Sequence, residues 1–314
     1  MGRSIHHPTG IIHNSPSAEK GYTLFSSQGG KHATLIDMNG QVVHRWNHDE
    51  GIVYATLLEN GNLLCRTLPP DDCDVVNGIG GSSRSLVELN WDNEIVWEYR
   101  DPMIHHDFVR LENGNTVVLA FEQLGDKWAS KIRGGYTPDP EEYEGILGDV
   151  LREVTPEGEI LKDISISELL DLDKDVICPL ETRREWTHGN SINLTAEGNF
   201  LLSFRLTHTV GIVDASGEKF LWKWGPGEVH HQHNPTYLKN GNILIFDNGS
   251  HSKGMDHSRV IEVNPSTNEV EWEYSENPPL AFYSFHISSA ERQPNGNTLI
   301  CEGAFGRIFE VTNS

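Results

Sequence analysis

One phrase recurs along the chain and restricts its fold more than any other feature. Leu58-Glu59-Asn60-Gly61-Asn62-Leu63-Leu64 returns as Leu111-Glu112-Asn113-Gly114-Asn115-Thr116-Val117. It returns again as Leu238-Lys239-Asn240-Gly241-Asn242-Ile243-Leu244 and as Gln293-Pro294-Asn295-Gly296-Asn297-Thr298-Leu299. A weaker copy spans Leu194 to Leu201, with Gly198-Asn199 at its turn. Asn-Gly between apolar runs signals a tight β-hairpin, in which both turn residues are expected to need positive φ.

A second phrase alternates with the first: an apolar strand, a turn rich in Gly or Asn, and a strand ending in Trp46, Trp97, Trp222 or Trp272. A copy without Trp runs from Val150 to Leu161. Two hairpins per repeat make a four-stranded antiparallel sheet, and repetition of such a unit is the mark of propeller blades. The expected fold is an all-β, six-bladed β-propeller forming a single domain over 1–314. Its blades are placed at about 21–48, 52–100, 105–165, 187–225, 232–275 and 284–314. The first lacks the Asn-Gly-Asn hairpin and the last lacks the Trp strand, so an N-terminal strand is one way to complete the last. Insertions fall at about 121–148, polar and turn-rich, and at 165–180, which begins as a short helix. Long loops on a rigid scaffold often carry function.

The net charge of −22 disfavours nucleic acid and anionic lipid as partners. Four cysteines, without a C-x-x-C pair, form neither a disulfide framework nor a thiolate zinc site. The opening residues Met1 to Pro8 have no apolar signal region, and no apolar run is long enough to span a bilayer. The expected location is the cytoplasm and the expected partner a small aromatic molecule, with neither nucleic acid nor membrane. A homo-oligomer stays open.

Sixteen histidines are unusually many, and several precede the hairpin phrase at matching places: His105 and His106, His188, His231 and His233, and His286. Repetition places them at one mouth of the expected channel, where imidazoles serve as nucleophile, acid/base group or metal ligand, or simply satisfy the backbone at the start of inner strands. Candidate partners lie nearby in the repeat: Asn190 two residues after His188, Arg205 after the fourth hairpin, and Asp247-Asn248-Gly249 at the end of the fifth inner hairpin. Arg suits a sulfate, phosphate or carboxylate through its fork, although an ion pair with a carboxylate accounts for it equally.

Thr187-His188-Gly189-Asn190-Ser191, Ser203-Phe204-Arg205, Gln232-His233-Asn234-Pro235 and Asn240 through Gly249 together resemble the arylsulfotransferase (aryl-sulfate sulfotransferase) family. So do Gly21 to Phe25, His105-His106-Asp107 and Arg292 to Ile300. The resemblance implies a six-bladed propeller that moves a sulfuryl group from an aryl sulfate to a phenol through a covalent sulfohistidine, with no nucleotide donor and no cofactor. By motif, His233 is the nucleophile, and His106, His188, Asn190 and Arg205 bind and polarise the sulfuryl oxygens. Characterised members are periplasmic, carry a signal peptide and have an extra N-terminal domain, and His286 has no counterpart in the family pattern. A metal-dependent lyase, hydrolase or oxygenase is the alternative, with His106, His188, His233 and His286 as ligands of a divalent metal. A non-catalytic scaffold is the third reading, although binding propellers need no such histidine cluster.

Overall fold

The computed structural model describes residues 9–137 and 145–313. The opening segment read above for a targeting signal, and Pro138 to Pro140 of the first insertion, lie outside them. The chain divides into two compact units, Met1–Pro102 and Met103–Ser314.

In the first unit, β1 (Thr23–Ser26), β2 (His32–Ile36) and β3 (Val42–Asn47) form a three-stranded antiparallel sheet. Strands β4 (Tyr54–Leu57), β5 (Leu63–Arg66), β6 (Ser85–Leu89) and β7 (Ile95–Arg100) form a four-stranded one. Ala33, Leu35, Trp46, Leu63, Cys65 and Val87 pack together between the two sheets.

The second unit opens with β8 (Ile104–Arg110) and β9 (Thr116–Leu124), followed by a short helix α1 (Asp126–Ala129) and β10 (Gly134–Tyr136). Strands β11 (Ile146–Val154) and β12 (Ile160–Ser165) complete a sheet of order β12-β11-β9-β8. Strand β13 (Ile177–Thr182) pairs in parallel with β10. Two more four-stranded sheets follow in sequence order. The first holds β14 (Gly189–Leu194), β15 (Phe200–Phe204), β16 (Thr209–Val213) and β17 (Phe220–Trp224). The second holds β18 (His233–Tyr237), β19 (Ile243–Asp247), β20 (Arg259–Asn264) and β21 (Glu269–Tyr274). The last sheet has three strands, β22 (Ser289–Arg292), β23 (Thr298–Glu302) and β24 (Arg307–Val311).

The chain is thus an all-β, six-bladed β-propeller by class, with blades of three or four strands rather than the uniform four expected. The first and last blades are short because each carries only one of the two hairpin phrases in full. The two ends of the first insertion are absorbed into long blade strands, since β9 and β11 pair as far as Leu124 and Ile146. In the second, the expected short helix is a single 3-10 turn at Ser167–Leu169. No helix among the described residues is long and apolar enough to cross a membrane.

Five equivalent turns build the blades. In each, the Gly N–H donates to the carbonyl three residues back, and that earlier residue's N–H closes the loop to the residue after Gly: Leu58 to Asn62, Leu111 to Asn115, Thr195 to Asn199, Leu238 to Asn242 and Gln293 to Asn297. Gly61, Gly114, Gly241 and Gly296 have φ between +86° and +91°, whereas the Asn before each is absent from the positive-φ residues. These are type I turns followed by a left-handed Gly, not turns with two positive φ values. The second Asn of the phrase reaches a carboxylate on the third strand. Asn62 donates to Glu88 (2.8 Å), Asn115 to Glu153 (2.6 Å), Asn242 to Glu262 (2.7 Å) and Asn297 to Glu310 (2.5 Å).

Register also revises the Trp alignment. Trp97, Trp222 and Trp272 sit opposite Glu88, Ile212 and Glu262, each just before a bulge, but the corresponding residue in the first blade is His44, opposite Leu35. Trp46 falls two residues later and is fully buried.

In the second unit, polar side chains tie each sheet to the next. Asp107 Oδ2 accepts from the Ile192 N–H (2.9 Å), Asn193 Oδ1 from the Tyr237 N–H (3.2 Å), and Asn234 Oδ1 from the Ala290 N–H (3.1 Å). Apolar clusters fill the spaces between, centred on Leu119, Ile192 and Phe204, on Trp224, Ile245 and Ile261, and on Phe246, Phe282 and Ile300.

At Gly241 a Cβ would meet only the Tyr237 hydroxyl, at 3.7 Å, so Gly241→Ala tests backbone strain without a clash. Forcing an L-residue into the left-handed region costs about 1–2 kcal/mol. Chemical denaturation of this variant should show a loss of that size, and a wild-type midpoint would contradict the turn assignment.

Candidate active site

The candidate histidines lie where strands of the second unit begin. His106 lies in β8 at a register shift, His188 directly precedes β14, His233 opens β18, and His286 precedes β22. His106 and His188 have φ of 47° and 52°. Positive φ is uncommon outside Gly, and such strain clusters at functional sites.

His233 is the most constrained of the set. The preceding Gln232 is fully buried and directs its amide nitrogen at Ser203 Oγ (3.0 Å), Thr209 O (2.9 Å) and Phe204 O (3.2 Å). Its carbonyl accepts from Asn190 Nδ2 (2.9 Å). The segment is therefore pinned to β14, β15 and the start of β16. His233 Nδ1 lies 2.7 Å from Asn248 Oδ1 and 3.0 Å from the His231 carbonyl. Both partners are acceptors, provided the Asn248 amide is oriented correctly. Its Nδ2 donates to the Ser284 and Ile287 carbonyls (2.7 and 2.9 Å), which fixes that orientation. The proton of a neutral His233 ring therefore sits on Nδ1, leaving the Nε2 lone pair available. Burial, with a smaller contribution from the Arg205 charge, pushes the His233 pKa down to about 3. The ring is neutral at physiological pH.

The other expected residues are held by contacts of their own. His106 and His188 pack edge to face with ring centroids 4.4 Å apart. His188 Nδ1 donates to Glu185 Oε2 (2.8 Å). His106 Nδ1 faces His105 Nδ1 at 3.0 Å, and the far nitrogen of His105 lies 3.3 Å from the buried Asp149 Oδ1. Burial works against the Asp149 charge, but His105, Thr187 and the Gly189 N–H outweigh it and hold its pKa below the usual carboxylate value. A proton on His105 facing Asp149 leaves its Nδ1 to accept from His106.

Arg205 lies in the turn after β15, and its backbone N–H donates to the His188 carbonyl (3.2 Å). Its guanidinium pairs with Glu181 Oε1 at 3.0 Å. The arginine thus has a carboxylate partner, while its charge still acts on His233 and His286. Burial, and then that charge, lower the His286 pKa. Two buried polar atoms, Asn190 Oδ1 and His286 Nδ1, have no hydrogen-bond partner. A cavity of about 550 Å³ lies apart from these residues, lined by Glu168, Asp175, Lys223 and Trp224 among others.

Sequence patterns could not supply most of the residues that orient the histidines. Glu185, Asp149 and Glu181 carry no spacing signal. Asn248 belongs to the candidate phrase Asp247-Asn248-Gly249 at the end of the fifth inner hairpin, and the fold brings it to His233. The side chains close enough together to hold an ion are Cys178, His208 and His231, and Glu181, His231 and His251. His106, His188, His233 and His286 are not such a group among the described residues.

The model of the family described as Arylsulfotransferase (ASST) matches residues 71–314. No curated protein matches the sequence. Among solved structures, a protein of unknown function from Bacteroides caccae aligns at 15% identity and a TM-score of 0.59, covering 94% of this chain and 91% of that one. A catalytically inactive virginiamycin B lyase from Staphylococcus aureus, solved with quinupristin, aligns at 10% identity and a TM-score of 0.55, covering 98% and 84%. A streptogramin B lyase aligns at 12% identity and 0.52, covering 97% and 86%. At these identities the likeness is one of fold alone.

The tautomer is directly measurable. Nitrogen-15 correlation spectra should show His233 protonated at Nδ1 and bare at Nε2, and Asn248→Ala should weaken that preference. A wild-type ring protonated at Nε2 would contradict the assignment.

Proposed function

We propose that this chain, which belongs to the arylsulfotransferase (ASST) family, transfers a sulfuryl group from an aryl sulfate to a phenolic acceptor with His233 as nucleophile. The observation that carries the reading is the fixed Nδ1–H of His233. A neutral imidazole whose Nδ1 proton is held by Asn248 and the His231 carbonyl presents Nε2 as an unprotonated nucleophile.

In the first half-reaction Nε2 bonds to sulfur, the bond between sulfur and the aryl oxygen breaks, and the phenolate leaves with the bonding pair. In the second, the acceptor phenol loses its proton, its oxygen bonds to the same sulfur, and the nitrogen–sulfur bond returns its electrons to His233. No cofactor enters either step. The Nδ1–H bond to Asn248 stabilises positive charge on the sulfated ring and holds its orientation. In this reading His188, oriented by Glu185, exchanges the phenol proton. Asn190, Arg205 and a doubly protonated His106 are the groups suited to bind the sulfuryl oxygens, whose charge they stabilise as the transition state forms.

Stopped-flow mixing with 4-nitrophenyl sulfate should give a burst of about one nitrophenol per chain, followed by turnover that depends on acceptor phenol in a ping-pong pattern. His233→Ala should abolish burst and turnover together. Arg205→Ala should keep the burst but slow it by roughly 10²–10³, the usual cost of losing one oxyanion donor. A burst of undiminished size and rate in His233→Ala would contradict the reading.

A further inference from the structure

Next to the candidate active site is a second cluster that the sulfuryl-transfer reading does not use. His231 is fully buried, and neither of its ring nitrogens has a hydrogen-bond partner. Burying an imidazole in this way costs free energy that native structures rarely leave uncompensated. Its Nδ1 lies 3.6 Å from Glu181 Oε1. The same carboxylate oxygen lies 3.8 Å from His251 Nδ1, which in turn lies 3.6 Å from Cys178 Sγ. We propose that Cys178, Glu181, His231 and His251 bind one zinc ion.

The donor set and the spacing both favour zinc. A thiolate, a carboxylate and two imidazoles form a four-ligand set of the kind that closes a tetrahedral zinc site. Bond lengths of about 2.0–2.3 Å place neighbouring ligand atoms of such a tetrahedron about 3.3–3.6 Å apart. The three separations named above, 3.6, 3.8 and 3.6 Å, are close to that, and binding would draw the Cys178 thiol in towards Glu181 and His231. The thiolate and carboxylate offset the charge of the ion.

His208 groups with Cys178 and His231, but its Nδ1 accepts the His231 backbone N–H at 3.1 Å. The remaining proton of a neutral ring then sits on Nε2, so His208 positions His231 rather than binding the ion. The ligands come from β13, the segment before β18 and the turn after β19, distant in sequence. A zinc ion would clamp the strand inserted after the third sheet against the fifth. With all four positions filled by protein the site is structural. The inference stands independently of sulfuryl transfer, because no ligand in it is the proposed nucleophile.

The experiment is elemental analysis of the purified full-length chain after incubation with zinc and removal of excess. About one zinc per chain is expected, together with a rise in melting temperature that a chelator reverses. Cobalt in place of zinc should give a thiolate charge-transfer band in the near ultraviolet. Cys178→Ser is a conservative change and His251 is partly exposed, so both variants should fold; each should lose zinc affinity by at least about tenfold, and Cys178→Ser should lose the cobalt band. Cys301→Ser should bind zinc like the wild type. Absence of stoichiometric zinc in the wild type, or full zinc content in folded His251→Ala or Cys178→Ser, would overturn the proposal.

Discussion

The bond from the second Asn of the Asn-Gly-Asn turn to a glutamate on the neighbouring strand underlies the construction of most blades. The turn itself needs one left-handed residue, which Gly supplies without steric cost. The Asn amide then crosses to the third strand, at Glu88, Glu153, Glu262 and Glu310, and fixes the register of three strands from one corner. Register decides which face of each strand is buried. The same bond therefore sets which residues fill the core and where the opposite end of each strand falls. In the second unit that opposite end carries His106 in the third blade and His233 in the fifth; the fourth blade, which carries His188 and Arg205, shares the turn geometry at Thr195 to Asn199.

Rigidity at those strand ends gives the histidines their chemistry. A solvated imidazole exchanges its proton between two nitrogens and is partly charged near neutral pH. His233 does neither, because Asn248 and the His231 carbonyl fix its tautomer and burial keeps it neutral. Gln232 ties the backbone on one side and Asn248 is itself held by two carbonyls on the other. The cost of placing polar groups in the interior is offset by these bonds. Where it is not offset, as at His231, the unpaired nitrogens mark a place for a ligand.

Much of the fold was legible in the sequence because the turn phrase is local and repeated. Gly61, Gly114, Gly241 and Gly296 fall at equivalent turns, and the blade limits follow from them. Turn type was misread, because Asn-Gly suits both a two-residue turn and a type I turn with a left-handed Gly; hydrogen bonds distinguish them. The Trp alignment failed at Trp46, where an aromatic two residues past the bulge imitates one at the bulge. Candidate histidines were legible through their matching places in the repeat. Asn248 was legible as part of a candidate phrase, but Glu185, three residues from His188, and Asp149, more than forty from His105, were not, with no periodicity joining them. Nor could the pairing of Arg205 with Glu181 be read from sequence, since Glu181 arrives on β13, the strand inserted outside the repeat.

The central claim is that one imidazole, His233, takes the sulfuryl group directly. Its most direct test is to quench the chain at alkaline pH after brief exposure to an aryl sulfate without acceptor, digest it, and locate the adduct by mass spectrometry. The account expects one sulfuryl group, on the peptide containing His233, which disappears when a phenol is added before the quench. An adduct on His106, His188 or a residue outside the cluster, or no adduct while turnover proceeds, would contradict it.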